Sequence, residues 1–252
     1  MESMSASRGS LAFRIVGWVL GVLTLGYSIF FTVDSIVSSD FDSQIHRFHN
    51  LGGLAGGGLI GVFAILFVLR PAWTAVFHCL VAQALAWTIG GLMGGDLFSG
   101  LLFIAPLGLV VLTALHPDPR SLLRLPGHPS IALLTYALIC TIPAWVYAVI
   151  NADLQHGPAT DPHVEFHHWS GVAISALAIA GAGLATSLRG IGWQVTGAVT
   201  ALAAMLFGVA GLVFANSDGA PPDVGWSWLA IAAGIGFWIL VRIEAAREVP
   251  AG

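Results

Sequence analysis

The chain has 252 residues, of which 57% are hydrophobic and only 9% charged, and its mean hydropathy is +0.87. A soluble domain carries roughly 25% charged residues, so an integral membrane protein is expected. All nine basic residues are arginine, which excludes chemistry that needs a chain amine, such as a retinal or pyridoxal Schiff base or a P-loop lysine. The arginines are also too few and dispersed to suggest a nucleic-acid partner. Cys79 and Cys140 fall inside apolar runs and read as small buried hydrophobes rather than a disulfide or thiolate site.

In chain order, residues 1–10 are polar, and the run over 11–33 is long enough to be a retained first span, which needs about 20 residues. An acidic loop follows, then a second run over 49–69 that closes on Arg70-Pro71, a charge and a helix breaker. Further runs cover 72–92, 97–115, 131–150, 169–188, 193–215 and 226–241. The expected fold is all-α, a polytopic membrane protein of about eight transmembrane helices arranged as two parallel-repeat four-helix bundles. The expected organisation is an N-terminal segment 1–10, a first unit 11–115, a proline-rich connector 116–128, a second unit 129–243 and a tail 244–252.

Basic residues are held on the cytoplasmic side during insertion. With the amino terminus inside, eight of the nine arginines fall inside and only Arg47 falls outside, while Asp34, Asp40, Asp42, Asp96, Asp153, Asp161, Glu165, Asp218 and Asp223 fall outside. The expectation is a plasma-membrane protein in the lipid bilayer with both termini cytoplasmic; a homo-oligomer or a membrane-protein partner stays open. The nine tryptophans lie mostly near span ends and read as an interfacial belt.

A shift of 119 residues lays the first half on the second: Asp34 meets Asp153, Asp42 meets Asp161, His49 meets His168, Gly52 meets Gly171 and Arg70 meets Arg189. Apolar coincidences mean little between membrane segments, but these polar and glycine matches hold one register through a loop. Four spans per unit is an even number, so the two copies are parallel repeats rather than inverted ones. Gly52, Gly53, Gly56, Gly57, Gly58 and Gly61 in the second span form overlapping small-x-x-x-small patterns, which let backbones approach closely in lipid. The second and sixth spans are therefore expected at the centres of their bundles.

Chemistry concentrates at the mouths of those two spans. The first copy reads His46-x-x-His49 and the second Glu165-x-x-His168. Side chains three apart share a helix face, so either pair could hold one metal ion or bracket one polar group. Imidazole with carboxylate suits zinc, copper or iron. The candidate metal residues are His46, His49, Glu165 and His168; Asp42, Asp161, His163 and His167 lie nearby. Interfacial histidines also occur simply as boundary residues. His78, inside the third span, is a functional candidate by position, Gln83 reads as interhelical glue, and His116 and His128 read as solvated.

Glu165-Phe166-His167-His168, and more weakly His46-Arg47-Phe48-His49, each leading into a span, resemble the outer-face Glu-Phe-x-His of the heme A synthase family. That resemblance implies two four-helix units, with His49 and His168 as cofactor-binding haem ligands and Glu165 as an outer carboxylate. The family pairs each second-helix histidine with one on the fourth helix. Here the fourth span has none before His116 and the eighth has none at all. Two classes of function follow: a protein binding a metal or haem at a His/carboxylate rim, or a small-molecule or lipid transporter, or assembly scaffold, with incidental histidines.

Overall fold

A computed structural model describes residues 11–38, 44–95, 101–124, 128–217 and 219–248, with the side chains of 101–104 left aside. Asp40, Asp42, Asp96 and Asp218 lie outside the described residues, and with Asp42 so does its match to Asp161. All elements are helical: α1 Leu11–Val37, α2 Arg47–Leu69, α3 Thr74–Met93, α4 Leu101–Leu115, α5 Pro119–Leu122, α6 Ile131–Gln155, α7 Pro162–Glu165, α8 His168–Ser187, α9 Trp193–Val213 and α10 Val224–Arg247.

Seven of these (α1, α2, α3, α6, α8, α9 and α10) are long and apolar enough to cross a membrane, so the chain is a polytopic all-α protein. The remaining expected span coincides with α4, which has 15 residues and follows residues outside the described set. The single-turn helices α5 and α7 fall in connectors where no helix is expected. Each starts on an aspartate followed by proline: Asp118 accepts from the Ser121 N–H at 3.3 Å, and Asp161 from the His163 N–H at 2.9 Å. Proline is tolerated at a first helical position because the missing N–H there has no partner to lose. Arg70-Pro71 closes α2 as the sequence suggests, with Arg70 as its C-cap.

Burial separates two classes of helix. α2, α3, α8 and α9 are half or more buried, whereas α1, α6 and α10 leave most of their apolar surface uncovered. Leu11, Ile15, Leu23 and Phe30 on α1, Ile139 and Ile142 on α6, and Trp228 and Ile239 on α10 are all exposed. Apolar area in water costs about 25 cal/mol per Å², so this outer surface suits lipid.

α1 lies along α2, and α6 lies along α8; α3 contacts α4, and α9 contacts α10. Across the middle of the molecule α3 packs on α8, α9 packs on α2, and α2 crosses α8. The crossing is tight because Gly56 lacks a side chain: a Cβ there would stand 2.4 Å from the Ser175 Cα. Gly61 does the same for the α1–α2 contact, where a Cβ would meet the Leu25 backbone nitrogen at 2.8 Å. Gln83 donates to the Ala178 carbonyl at 2.9 Å and so joins α3 to α8, the glue role its position suggests.

The two ends of the bundle differ. At one end, Ser130 caps α6 and donates to Glu244 at 2.7 Å, while Arg189 and Arg247 both pair with Glu244 and Arg189 also with Glu248. His116 lies here, and the expectation that it is solvated is corrected. It is buried, stacked on Phe67 with ring centres 5.1 Å apart, donates from Nε2 to the Pro71 carbonyl at 3.0 Å and accepts the Asp118 N–H at 3.1 Å. His128 is exposed. The opposite end carries His46, His49, His163 and His168.

Candidate functional site

At the mouths of α2 and α8, four imidazoles pack against one another. His46, the residue before α2, lies with its ring centre 4.2 Å from that of His168 and 5.0 Å from that of His163. His49, in the first turn of α2, stacks on His168 at 5.4 Å and lies 4.8 Å from His163. Of the sequence candidates, His46, His49 and His168 are thus brought together. Phe166 covers His46 and His168 on one side, and Trp169 covers His49 and His163 on the other.

Glu165 is not part of this packing: it is exposed at the end of α7. The single turn of α7 explains why. Residues two apart on a helix do not share a face, so turning His163 inward turns Glu165 to solvent. His163, buried to 5% exposure, takes the place that Glu165 was expected to fill. His167, between α7 and α8, adopts a left-handed backbone with φ 57°, which redirects the chain so that His168 opens α8 on the inner side. His156 is exposed and its Nε2 lies 3.1 Å from the Met93 carbonyl. His78 sits partly buried in α3, remote in sequence from these loops and outside the ring packing.

Second-layer groups orient two of the rings. His49 donates from Nδ1 to the His168 carbonyl at 3.3 Å, which leaves the Nε2 lone pair free. That atom is buried and has no hydrogen-bond partner among the described residues, and the same is true of His168 Nδ1. His163 donates from Nδ1 to Asp161 Oδ1 at 2.9 Å, and its Nε2 stands 3.2 Å from the Ile45 carbonyl. The Trp169 indole donates to the other Asp161 oxygen at 3.4 Å. Partial burial by itself raises the Asp161 carboxyl, but the His163 backbone N–H, the His163 ring and the Trp169 N–H together outweigh it and hold the group below the ordinary aspartate range.

Gly219 closes the site from the loop before α10. It has φ +75°, and a Cβ there would stand 2.3 Å from His49 Nε2 and 2.6 Å from His163 Nε2. Both nitrogens therefore converge on one small region that only a glycine leaves clear. Among the described residues no group of three or more His, Cys, Asp or Glu side chains is placed to hold a metal ion; two nitrogens converge, and the rings of His46 and His168 pack beside them.

Several of these residues carry no sequence signal of their own. Gln155 donates to the Val164 carbonyl at 2.8 Å and accepts the Ser170 N–H at 3.2 Å, so it pins α7 onto α8. Arg47, the one arginine at this end among the described residues, donates to the Ser35 carbonyl at 2.9 Å and so ties α2 to the end of α1. Comparison with protein-family models, curated proteins and solved structures finds no match to the chain. Fold and site together define a polytopic helical protein with a buried histidine cluster at one end of its bundle.

Proposed function

We propose that the protein binds one transition-metal ion at the histidine cluster, with His46, His49, His163 and His168 as the ligand pool and Asp161 orienting His163. The observation that carries this reading is the buried, partnerless Nε2 of His49, which converges with His163 Nε2 beside a glycine. Leaving a buried polar atom unsatisfied costs about 1–3 kcal/mol, and a ligand removes that cost. Imidazole nitrogens suit zinc, copper, nickel or iron at about 2.0–2.1 Å. The Asp161–His163 and His168 carbonyl–His49 hydrogen bonds are the usual outer partners of metal-bound imidazole, which fix the tautomer and raise basicity. A bare ion is favoured over haem because the His49 and His168 rings stack on each other rather than facing one another across a slot.

The proposal includes a duplicated architecture, units 11–115 and 129–243. In its support, the α1–α2 and α6–α8 pairs correspond, as do the α3–α8 and α9–α2 contacts. His49 and His168 meet across the α2–α8 junction, as do Gly56 and Ser175, and both pairs obey the 119-residue register. The location proposed is the plasma membrane with both termini cytoplasmic, supported by the gathering of Arg189, Arg247 and their partners at the end opposite the histidines.

The test is elemental analysis of tag-free protein purified in detergent, followed by titration with zinc and copper(II). Bound or tightly titrating metal that disappears in His49→Ala and His168→Ala is expected. A folded protein that neither carries nor takes up either metal overturns the reading.

A further inference from the structure

A second feature lies below the histidine cluster, inside the group formed by α6, α8, α9 and α10. These helices enclose a cavity of about 110 Å³ whose walls are almost wholly apolar. Its floor is cut from small residues: Ala176, Ala180 and Gly183 on α8, and Ala201 and Ala204 on α9. Its outer wall is incomplete, because α6 and α10 touch only sparsely.

The two helices are bridged at two levels. Tyr147 packs on Trp226 with ring centres 5.3 Å apart near the histidine end. Tyr136 stacks on Phe237 at 6.3 Å near the arginine end and donates to the Ala233 carbonyl at 3.2 Å. Between the two bridges, Cys140, Pro143 and Ala144 of α6 stand opposite Leu229, Ala230 and Ala233 of α10, all lining the cavity. From Tyr136 to Tyr147 the helix rises about 16 Å at 1.5 Å per residue. The gap is therefore a tall, narrow window at mid-span depth.

We infer that this window admits a segment of one acyl chain of a membrane phospholipid and holds it in the cavity. The occupant follows from surroundings and shape. The outward faces of α6 and α10, with Ile139, Ile142, Leu229 and Ile235 exposed, are surfaces suited to lipid, so the medium at the mouth of the window is acyl chain. An apolar cavity of roughly 150 Å³ in a soluble protein stays free of water and takes up benzene. A cavity of this size therefore accepts a slender chain segment and has no room for a bulky ring system.

Two of the lining hydroxyls are satisfied within the protein, since Thr200 donates to the Thr196 carbonyl at 2.8 Å and Tyr136 is bonded to α10, while the Tyr147 hydroxyl is buried without a hydrogen-bond partner among the described residues. The smaller cavity of the first half differs. Gln83 Oε1 and Trp87 Nε1 on its wall are both buried without partners among the described residues, against the single Tyr147 hydroxyl of the larger and more apolar one.

The upper bridge joins the window to the histidine cluster. Phe207 contacts both Tyr147 at 5.8 Å and Phe48 at 6.0 Å, and Phe48 adjoins His49 at 5.4 Å. Chain binding requires no metal there, so its test and the metal test fail independently.

The experiment reconstitutes the full chain in nanodiscs of phosphatidylethanolamine and phosphatidylglycerol that contain a phosphatidylcholine with a mid-chain diazirine. After illumination, adducts are mapped by mass spectrometry. Adducts on the inner residues Ala176, Ala180 and Ala204 that saturate as the probe fraction rises are expected, while adducts on the outer residues Val19 and Leu23 of α1 rise in proportion to it. A Cβ on Gly183 meets only ordinary contacts of 3.7 Å or more, so Gly183→Leu fills the cavity without striking backbone and should abolish the inner adducts alone. Ala180→Leu is the second filling variant should the first not fold. Inner adducts that are absent, that never saturate, or that persist in a folded filling variant overturn the inference.

Discussion

Substitution of Gly219 by alanine tests the site geometry without touching a proposed ligand. Two costs follow from the structure. At φ +75° an L-residue pays roughly 1–2 kcal/mol that glycine does not. The new Cβ would also lie 2.3 Å from His49 Nε2 and 2.6 Å from His163 Nε2, and overpacking of this kind costs about 1–3 kcal/mol. The rings must turn away, which separates the two nitrogens that converge. Thermal unfolding followed by circular dichroism, with metal titration on the same samples, is expected to show a loss of several degrees and a weaker metal site. The control is Gly171→Ala in α8, where a Cβ meets nothing within 4 Å and the helix gains about 0.5–1 kcal/mol. If Gly219→Ala matches wild type in both assays, the described contact between the loop and the histidines is wrong.

Asp161→Asn removes the charge that orients His163 and is expected to weaken metal affinity about 10–100-fold, whereas Glu165→Gln at its exposed position leaves the titration unchanged; equal effects would reject the proposed ligand pool. Gly56→Leu forces a side chain into the Ser175 backbone and should cost more than the roughly 1–3 kcal/mol of ordinary overpacking, seen as early aggregation on size exclusion, while Gly53→Ala, in open space, is silent. Glu244→Gln loses its pairing with Arg189 and Arg247 and keeps only the Ser130 hydrogen bond, an expected destabilisation of about 1–3 kcal/mol by thermal unfolding. Glu248→Gln, at a more exposed carboxylate, should shift unfolding much less.

Seven spans were legible because each is an apolar run long enough to cross a bilayer. The central position of the helices carrying Gly56 and Ala176 was legible because close approach in lipid needs small residues. His46, His49 and His168 were legible as candidates because imidazoles recur at span mouths. His163 was not placed among them, because its burial depends on α7, a single turn whose only local sign is Asp161-Pro162. Trp169 was hidden by its resemblance to a belt residue, although it lies against His49 and His163 and bonds Asp161. Gly219 was beyond reach, since its role arises from a loop folding over two histidines more than fifty residues away in sequence. His116 misled for the opposite reason: a histidine beside a polar, proline-rich connector is usually solvated, yet here Phe13 and Phe67 close over it.

The composition of the cluster leads to a last prediction. Duplication of a binding unit ordinarily yields two equivalent sites, one per copy, but under the proposed duplication the two mouths meet. The tight crossing of α2 and α8 at Gly56 and Ser175 places His49 against His168. The loops then break the equivalence, since in the 119-residue register His46 stands opposite Glu165 and His163 opposite Gln44. Each half therefore supplies two of the four imidazoles, and neither half holds a site alone. The proposed metal should bind with one ion per chain, and His49→Ala or His168→Ala should each remove the whole ion. Two ions per chain, with each variant losing one of them, would mean that the halves act separately and that the shared site does not exist.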